Sequence, residues 1–191
     1  RVEVMGDPKY DAQQPLTDEE KEQLRKTFKL EVGTPVWIAG STHAGEEEII
    51  LDAHQQLTTE HPNLVLILAP RRIERVEEVV TLLKKKNISF TLRSLLEHAK
   101  TVILLDTMGE LAKVYSLGQV AFIGKSLIKP GGGHSLIEPL SYGLPVMHGP
   151  FVENIGHVAD KAQALGLAIP LQDSKGIKEK VHSLLENENL R

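Results

Sequence analysis

The sequence contains no cysteine, which excludes disulfide bonds and thiolate metal ligands. Positive charge is not in excess either, since 22 lysines and arginines stand against 26 aspartates and glutamates, giving a net charge of −4. A generally basic surface that holds nucleic acid or an anionic membrane is therefore excluded, and an anionic ligand must be bound by a local arrangement of groups. No apolar run approaches the roughly 20 residues that a bilayer-spanning helix needs.

Several catalytic signatures are also missing. Neither a phosphate-binding P-loop nor a G-x-G-x-x-G run follows the first apolar segment, so ATPase and dinucleotide-binding functions are weakly supported. Ser141 lies in PLSYG, which lacks the small residues that surround a nucleophilic serine. The eight histidines include no pair at i, i+4 helical spacing with a carboxylate between them, and we predict no metal site.

The 191 residues, 41% of them hydrophobic, are enough for one sizeable domain. The opening RVEVMGDPKYDAQQPL carries no initiator methionine and has the composition of a strand fragment and a linker. We therefore expect residues 1–16 to be a linker or part of a preceding region, and residues 17–191 to form one domain.

Short apolar runs alternate with stretches of helical periodicity from residue 17 onward. Continuous apolar strands alternating with helices are typical of a parallel sheet covered on both faces, so we predict an α/β, Rossmann-like, doubly wound fold. In such a sheet, ligands bind outside the carboxyl ends of the strands, where the strand order switches. The predicted strands are 35–40, 64–69, 88–92, 101–106, 120–124, 145–149 and 166–170, and the predicted helices are 18–29, 46–57, 72–86, 110–115, 152–165 and 175–186.

The most informative stretch is GKSLIKPGGGHSLIEPLSYGLPV, residues 124–146. Glycines between a strand and a helix allow backbone N–H groups to approach a ligand, and a helix start favours phosphate or carboxylate. Ser135 and the amides of Leu136 and Ile137 are candidate donors, and Glu138 is a candidate acceptor for ribose hydroxyls. The alternative is a flexible glycine loop followed by an acid that the helix dipole favours.

Three other strand ends carry candidate ligand groups, each with a plain structural alternative. Pro70 and Arg71 follow the second strand, where a guanidinium could bind a phosphate or a sugar carboxylate, or could simply be solvated. Met108, Gly109 and Glu110 offer an apolar wall and a helix start, or an ordinary capped turn. Ser41 belongs to GSTHAGEEE, in which a helix-capping role is the default.

Four ordered segments resemble the carboxyl-terminal half of the bacterial transferases of 3-deoxy-D-manno-octulosonic acid (Kdo). They are GSTHAGEEEIIL, LILAPRRIERVEEV, LLDTMGELAKVY and VAFIGKSLIKPGGGHSLIEPLSYGLPVMHGPFVENI, which lie between Val36 and Ile155. The resemblance implies one half of an inverting, two-domain glycosyltransferase of the GT-B type, whose second domain binds CMP-Kdo. It also implies a parent enzyme at the cytoplasmic face of the bacterial inner membrane that adds Kdo to lipid A precursor in lipopolysaccharide biosynthesis.

By this resemblance, the CMP-contacting residues fall on three motifs of this chain. The Pro-Arg pair matches Pro70 and Arg71, and the Met-Gly-Glu motif matches residues 108–110. The Asn-Pro-Leu-Glu motif matches residues 135–138, with serine at position 135 in place of asparagine and leucine at 136 in place of proline. In the family's Gly-Gly-Ser motif, Lys125 replaces a glycine and Ser126 matches.

The resemblance places the general base, the membrane anchor and much of the acceptor site in an amino-terminal domain, which we expect to lie outside this chain. We therefore expect no catalytic residue here, no cofactor beyond the donor CMP-Kdo, no nucleic-acid partner, and contact with membrane and lipid A precursor only through the other domain. The alternatives are the donor domain of another GT-B glycosyltransferase or sugar-nucleotide epimerase, and a non-catalytic module that binds a phosphorylated ligand or a protein.

Overall fold

The computed structural model describes residues 15–190, so most of the predicted linker at 1–16 lies outside the described residues. The elements follow in the order α1 Asp18–Thr27, β1 Val36–Thr42, α2 Glu46–Glu60, β2 Val65–Pro70, α3 Val76–Lys85, β3 Phe90–Leu92, β4 Val102–Leu104, α4 Leu111–Val114, β5 Val120–Ile123, α5 Ile137–Ser141, β6 Val146–His148, α6 Gly156–Ala164, β7 Ala168–Pro170 and α7 Ser174–Glu186. The alternation of strands and helices confirms the predicted α/β class.

The described strands form one parallel sheet of seven strands in the order β3-β4-β2-β1-β5-β6-β7. From β1 the chain first builds outward through β2, and it later returns to place β5 on the other side of β1. The strand order therefore switches between β1 and β5, and in sheets of this type the ligand crevice lies at the carboxyl ends of the strands on either side of that switch.

Both faces of the sheet are covered, because alternate residues of a strand point to opposite faces. In β1, Trp37 and Ala39 pack into one core cluster together with residues of α2, α3 and α7. Val36 and Ile38 pack into the second cluster, which contains residues from α4 and α6 and Phe28 at the end of α1. This two-sided burial explains why the strands are continuous apolar runs and not alternating ones.

Local sequence signals determine some element boundaries directly. The hydroxyl of Thr17 accepts the Glu20 N–H at 3.2 Å, and the Glu20 carboxylate accepts the Thr17 N–H at 2.8 Å, so α1 begins with the capping box that its sequence indicates. The helix predicted over 72–86 instead begins at Val76, after a 3₁₀ turn at Ile73–Arg75. Likewise α6 begins at Gly156 and not at residue 152.

One buried histidine links three elements of the core. His54 of α2 accepts the indole N–H of Trp37 on Nδ1 at 3.1 Å, and its Nε2 lies 2.9 Å from the carbonyl oxygen of Thr101. Burial lowers the pKa of His54 to about 4, so the ring is neutral and can donate Nε2–H to that carbonyl. His54 is therefore a core residue with both ring nitrogens satisfied.

Candidate functional site

The loops that follow β1, β2, β5 and β6 meet at the carboxyl edge of the sheet. The backbone N–H of Arg71, after β2, donates to the Thr42 carbonyl of β1 at 2.9 Å. The Gly149 N–H, after β6, donates to the hydroxyl of Ser126 in the β5 loop at 2.8 Å. These bonds fix the loops relative to one another on both sides of the switch point.

Glu46, the first residue of α2, organises the crevice. Its buried carboxylate accepts four backbone N–H groups: Oε1 accepts from Ser126 at 2.8 Å and Leu127 at 2.9 Å, and Oε2 accepts from Lys125 at 2.7 Å and His43 at 2.9 Å. A carboxylate is an acceptor-only group with room for about four such bonds. The side chain therefore holds the β5 loop against the start of α2 with all its acceptor sites in use.

The neighbouring Glu47 is buried as well and serves another contact. It accepts the guanidinium of Arg75 at 2.6 and 3.2 Å and the hydroxyl of Thr42 at 2.9 Å. The sequence pattern made helix capping the default role for GSTHAGEEE, but the N-cap is Gly45 in the left-handed conformation, without a side-chain bond. The Thr42 hydroxyl instead donates to the side chain of Glu47, the second residue of α2.

Two histidines, one from each side of the switch point, are in contact. Nε2 of His43 lies 3.0 Å from Nε2 of His134, and the rings are stacked with centroids 5.3 Å apart. Burial lowers the pKa of both rings, and the neighbouring His43 ring together with the charges of Arg71 and Lys125 helps to bring the pKa of His134 to about 4. At neutral pH both rings are therefore uncharged, and one donates to the other.

Two cations in this region have side chains without a carboxylate partner among the described residues. Arg71 is exposed, and its guanidinium forms no hydrogen bond or ion pair with any residue of the described part of the chain. The Lys125 side chain is likewise unpaired within residues 15–190, whereas Arg75 and Arg93 are bound by Glu47 and Glu110. Two cations facing two neutral imidazoles form a suitable environment for a phosphate or a carboxylate.

Glu138 lies on α5, immediately behind this region. Its carboxylate is half-buried and accepts no hydrogen bond from the described residues, and burial raises its pKa. Burial and the nearby charge of Glu138 raise the pKa of the Tyr115 hydroxyl, which lies over Gly40 of β1. An unpartnered, desolvated carboxylate beside the sheet rim is a free acceptor for a ligand with hydroxyl groups.

The predicted Met108–Glu110 motif lies two strands away from β1, in the loop after β4. Met108 is 75% exposed, and Gly109 adopts φ +79° with open space around it. Glu110, however, accepts the Arg93 guanidinium at 3.0 Å and the hydroxyl of Thr107. The loop therefore offers an apolar surface at its tip, while its glutamate holds the loop in place.

The three serines among the predicted site residues have different surroundings. Ser126 is fully buried, donates to the Ile123 carbonyl at 2.6 Å and accepts the Gly149 N–H, so its hydroxyl is used by the loops. Ser135 is exposed and accepts the Ile137 N–H at 3.3 Å at the start of the five-residue α5. Ser41 sits at a bulge of β1 with φ +56°, where it leaves the ladder between β1 and β2.

The three consecutive glycines make room for protein, not for a ligand. A Cβ at Gly131 would lie 2.1 Å from Cβ of Phe151, and one at Gly132 would lie 2.3 Å from the Asn154 amide nitrogen. The Gly132 N–H also donates to the Phe151 carbonyl at 3.0 Å. The expectation that the glycines allow backbone to approach a ligand is therefore corrected, since they allow the β5 loop to pack against the β6 loop.

The amino edge of the sheet carries a separate cavity of about 740 Å³, lined by residues 29–35, 62–65 and 97–101 together with Ser89. None of the predicted site residues lines it. In parallel sheets the ligand site lies at the carboxyl ends of the strands, so we assign the site to the crevice. Within residues 15–190, no helix combines the length and the apolar character that crossing a membrane requires.

Comparison with solved structures gives the class of protein to which this fold and crevice belong. The chain superposes on ADP-heptose LPS heptosyltransferase II of E. coli with a TM-score of 0.55 at 12% identity, covering 93% of this chain and 54% of that one. A likeness at this identity shows the fold alone. The sheet, its flanking helices and the crevice at the switch point are those of a GT-B type glycosyltransferase domain.

Two closer relatives define the family. The C-terminal CMP-Kdo binding domain of WaaA from Acinetobacter baumannii superposes with a TM-score of 0.78 at 34% identity, covering 88% of this chain and 86% of that one. The 3-deoxy-D-manno-octulosonic acid transferase of Haemophilus influenzae is 41% identical over 165 residues, which are 83% of this chain and 37% of that protein. The chain belongs to the Kdo transferase family. No family model matches it.

The chain spans less than half the length of the curated relatives that it matches. Its likeness to the WaaA structure covers nearly all of that C-terminal domain. The family resemblance and the GT-B type fold predicted from the sequence are thereby confirmed.

Proposed function

We propose that this chain binds CMP-Kdo and is the donor-binding domain of an inverting glycosyltransferase that adds Kdo to lipid A precursor. The observation that carries the proposal is the guanidinium of Arg71, which has no partner within residues 15–190. The Arg71 backbone is fixed at the carboxyl edge of the sheet by its hydrogen bond to Thr42. A cation without a carboxylate partner in a chain of net charge −4 supplies the local anion binding that the composition requires.

The groups across the crevice match the chemical parts of a CMP-sugar acid. Arg71 and Lys125 face the two neutral histidines and suit the single phosphate and the sugar carboxylate. Glu138 is a free acceptor for the two ribose hydroxyls. The exposed side chain of Met108 gives an apolar wall for the base. Its loop follows β4, which lies two strand spacings, or about 10 Å, from β1.

The binding energy comes from side chains and loops more than from helix starts. The start of α2 is occupied by the Glu46 contacts, and α5 has five residues and thus a small dipole. Preorganisation by Glu46 means that the β5 loop is already ordered before the donor arrives. In the whole enzyme, the positive crevice would stabilise the CMP leaving group while a base on the other domain deprotonates the acceptor hydroxyl.

The relatives also support a place for the parent enzyme. We infer that it works at the cytoplasmic face of the inner membrane in lipopolysaccharide biosynthesis, with membrane and acceptor contacts made by regions outside this chain. The support is family membership, since the relatives named above are a Kdo transferase and a CMP-Kdo binding domain.

Calorimetric titration of this chain with CMP tests the donor site. Loss of a charge-assisted contact of about 1.5–3 kcal/mol predicts that Arg71→Ala weakens CMP binding by about 10- to 100-fold. Arg72→Ala is the matched control, since Arg72 is the adjacent exposed arginine, and it is expected to change the affinity less than about twofold. Equal effects of the two variants, or no binding at millimolar CMP, would contradict the proposal.

A thermal-shift series with CMP, UMP and AMP separates the alternatives. A Kdo transferase domain is expected to be stabilised most by CMP, whereas a sugar-nucleotide epimerase or another GT-B transferase would respond more strongly to UMP or AMP. A non-catalytic module would respond to none of the three.

A further inference from the structure

A second cluster of potential ligand groups lies at the other end of α2. Glu60 is the last residue of α2, His61 follows it, and His182 projects from α7. Nε2 of His61 lies 3.0 Å from Nδ1 of His182, and this Nδ1 lies 3.0 Å from Oε2 of Glu60. From this convergence we propose a binding site for a divalent transition-metal ion such as Zn²⁺, Co²⁺ or Ni²⁺, formed by Glu60, His61 and His182.

The spacing of the three ligand atoms fits a coordination sphere. With metal–ligand bonds of about 2.1 Å, neighbouring ligand atoms lie about 3.0 Å apart at right angles and about 3.4 Å apart in a tetrahedron. The two separations of 3.0 Å lie at the lower end of this range, and all three ligand atoms lie within 4.8 Å of one another. An ion therefore needs only a small opening of the cluster.

With neutral rings, the contacts around His182 depend on a single proton. Nδ1 of His182 is close to two neighbours, but a neutral imidazole nitrogen carries at most one hydrogen. If His61 donates to it, its lone pair faces the Glu60 oxygen at 3.0 Å. If it instead donates to Glu60, His61 can only share that hydrogen in a three-centre bond. A cation bound by all three lone pairs would replace this shared proton with three direct contacts, which is the chemical reason to expect a metal.

A neighbouring lysine orients one of the three ligands. Oε1 of Glu60 is bound by Lys178 at 2.6 Å, which leaves Oε2 directed toward the histidines for single-oxygen coordination. Oε1 of Glu186 lies 3.8 Å from Nδ1 of His61, the ring nitrogen on the far side from the ligand nitrogen. At this distance the Glu186 carboxylate forms no hydrogen bond with the ring, and it adds only negative charge beside the cluster.

Exposure also suits a site that an ion can enter. The side chain of His61 is 14% exposed and those of His182 and Glu60 are 41% and 39% exposed, so one ligand is anchored and two face solvent. Within residues 15–190, no other group of three metal-binding side chains converges in this way. His61 and His182 are 121 positions apart in the sequence, so an analysis of histidine pairs at i, i+4 spacing does not identify them.

The other histidine pair is a useful contrast. His43 and His134 are equally close, at 3.0 Å, but the carboxylate beside them, Glu46, has all its acceptor sites in use. Arg71 and Lys125 add positive charge there, which repels a cation. A metal is therefore expected at the α2–α7 cluster and not at the crevice, about 20 Å away along the 15 residues of α2.

Binding of metal to the tag-free chain tests the proposal directly. Calorimetric titration with Zn²⁺ is expected to show one ion per chain, and Co²⁺ is expected to give visible absorption bands of nitrogen and oxygen coordination. His61→Ala and His182→Ala should each weaken Zn²⁺ binding at least tenfold, because second-sphere changes alone already cost that much. His157→Ala, at an exposed histidine of α6, is the matched control and should leave it unchanged.

The remaining outcomes decide against the proposal. It is overturned if no Zn²⁺ binds at micromolar concentration, if the cluster variants bind as tightly as the parent, or if His134→Ala removes the binding instead. CMP titration of the same variants is a separate readout, and an unchanged CMP affinity in His182→Ala is expected because the two sites are at opposite ends of α2. Either site can therefore fail without the other.

Discussion

Replacing Glu46 by glutamine removes one charge while almost preserving side-chain shape. The parent carboxylate accepts four backbone N–H groups at 2.7–2.9 Å, two on each oxygen. A glutamine keeps one oxygen for two of them and turns its NH₂ toward the other two, so donors face donors. The substitution therefore tests whether Glu46 holds the β5 loop on α2.

The magnitude follows from the number of bonds lost. A hydrogen bond to a charged acceptor contributes about 1.5–3 kcal/mol, so two lost bonds cost about 3–6 kcal/mol. Burying a neutral amide costs less than burying a carboxylate, which moves the expected loss toward about 3 kcal/mol. For a domain of this size, that corresponds to a fall in Tm of about 6–12 °C.

Glu46, Glu47 and Glu48 are consecutive, which provides a matched control. Glu48 is exposed, and its ion pair with Lys86 at 3.9 Å is a weak surface contact, so Glu48→Gln should change stability by less than about 0.5 kcal/mol. Urea unfolding followed by circular dichroism measures both variants. If Glu46→Gln unfolds at the same midpoint as Glu48→Gln, the four contacts do not stabilise the loop and the reasoning is refuted.

Three further predictions concern the crevice and its loops. Burial raises the pKa of Glu138 above 4.5, so the contribution of its carboxyl group to stability is present at low pH and lost as the pH rises through the raised pKa. The Glu138→Gln variant should therefore unfold at a higher urea concentration than the parent at pH 7 but not at pH 4. The same variant should bind CMP more weakly. The pKa of His134 is lowered from 6.5 to about 4, so the contribution of this ring to stability is present above pH 6.5 and lost as the pH falls toward 4. The urea midpoints at pH 7 and pH 5 should therefore differ less in His134→Gln than in the parent, and an equal difference in both proteins would contradict this. A Cβ at Gly149 would lie 2.0 Å from the Ser126 carbonyl oxygen, so Gly149→Ala should destabilise the fold by about 3 kcal/mol or more. Gly156 has open space around it, so Gly156→Ala should not destabilise the fold. Similar thermal midpoints for the two variants would contradict the close approach at Gly149.

Local patterns were enough to predict the layout of the chain. The Thr17 cap, the apolar runs and the periodic stretches each depend on residues within a few positions of one another, so α1 and the strands of the sheet appear where the sequence indicates them. Boundaries were less accurate, since β4 covers only Val102–Leu104 of the run predicted over 101–106. Strand ends are determined by pairing with neighbours, which the run itself does not contain.

The site was predicted in part. Arg71 and Glu138 lie at the carboxyl edge, as their positions after strands suggested, and neither side chain has a partner within residues 15–190; their contact with CMP stays a prediction. Glu46 and His134 were missed as organising residues, because their partners lie 79–91 positions away. The only signal for Glu46 was an acidic residue at a helix start, and that pattern is common without any such role.

The amino-acid sequence by itself determined the alternation of strands and helices, hence the parallel sheet, and the family to which the chain belongs, because both are recorded in short-range patterns. The tertiary structure alone decided which of three adjacent glutamates would be buried, which glycines face protein, and that His61 would meet His182. Those outcomes depend on packing between segments far apart in the chain, where burial and available hydrogen-bond partners, not local propensity, fix the role of a side chain.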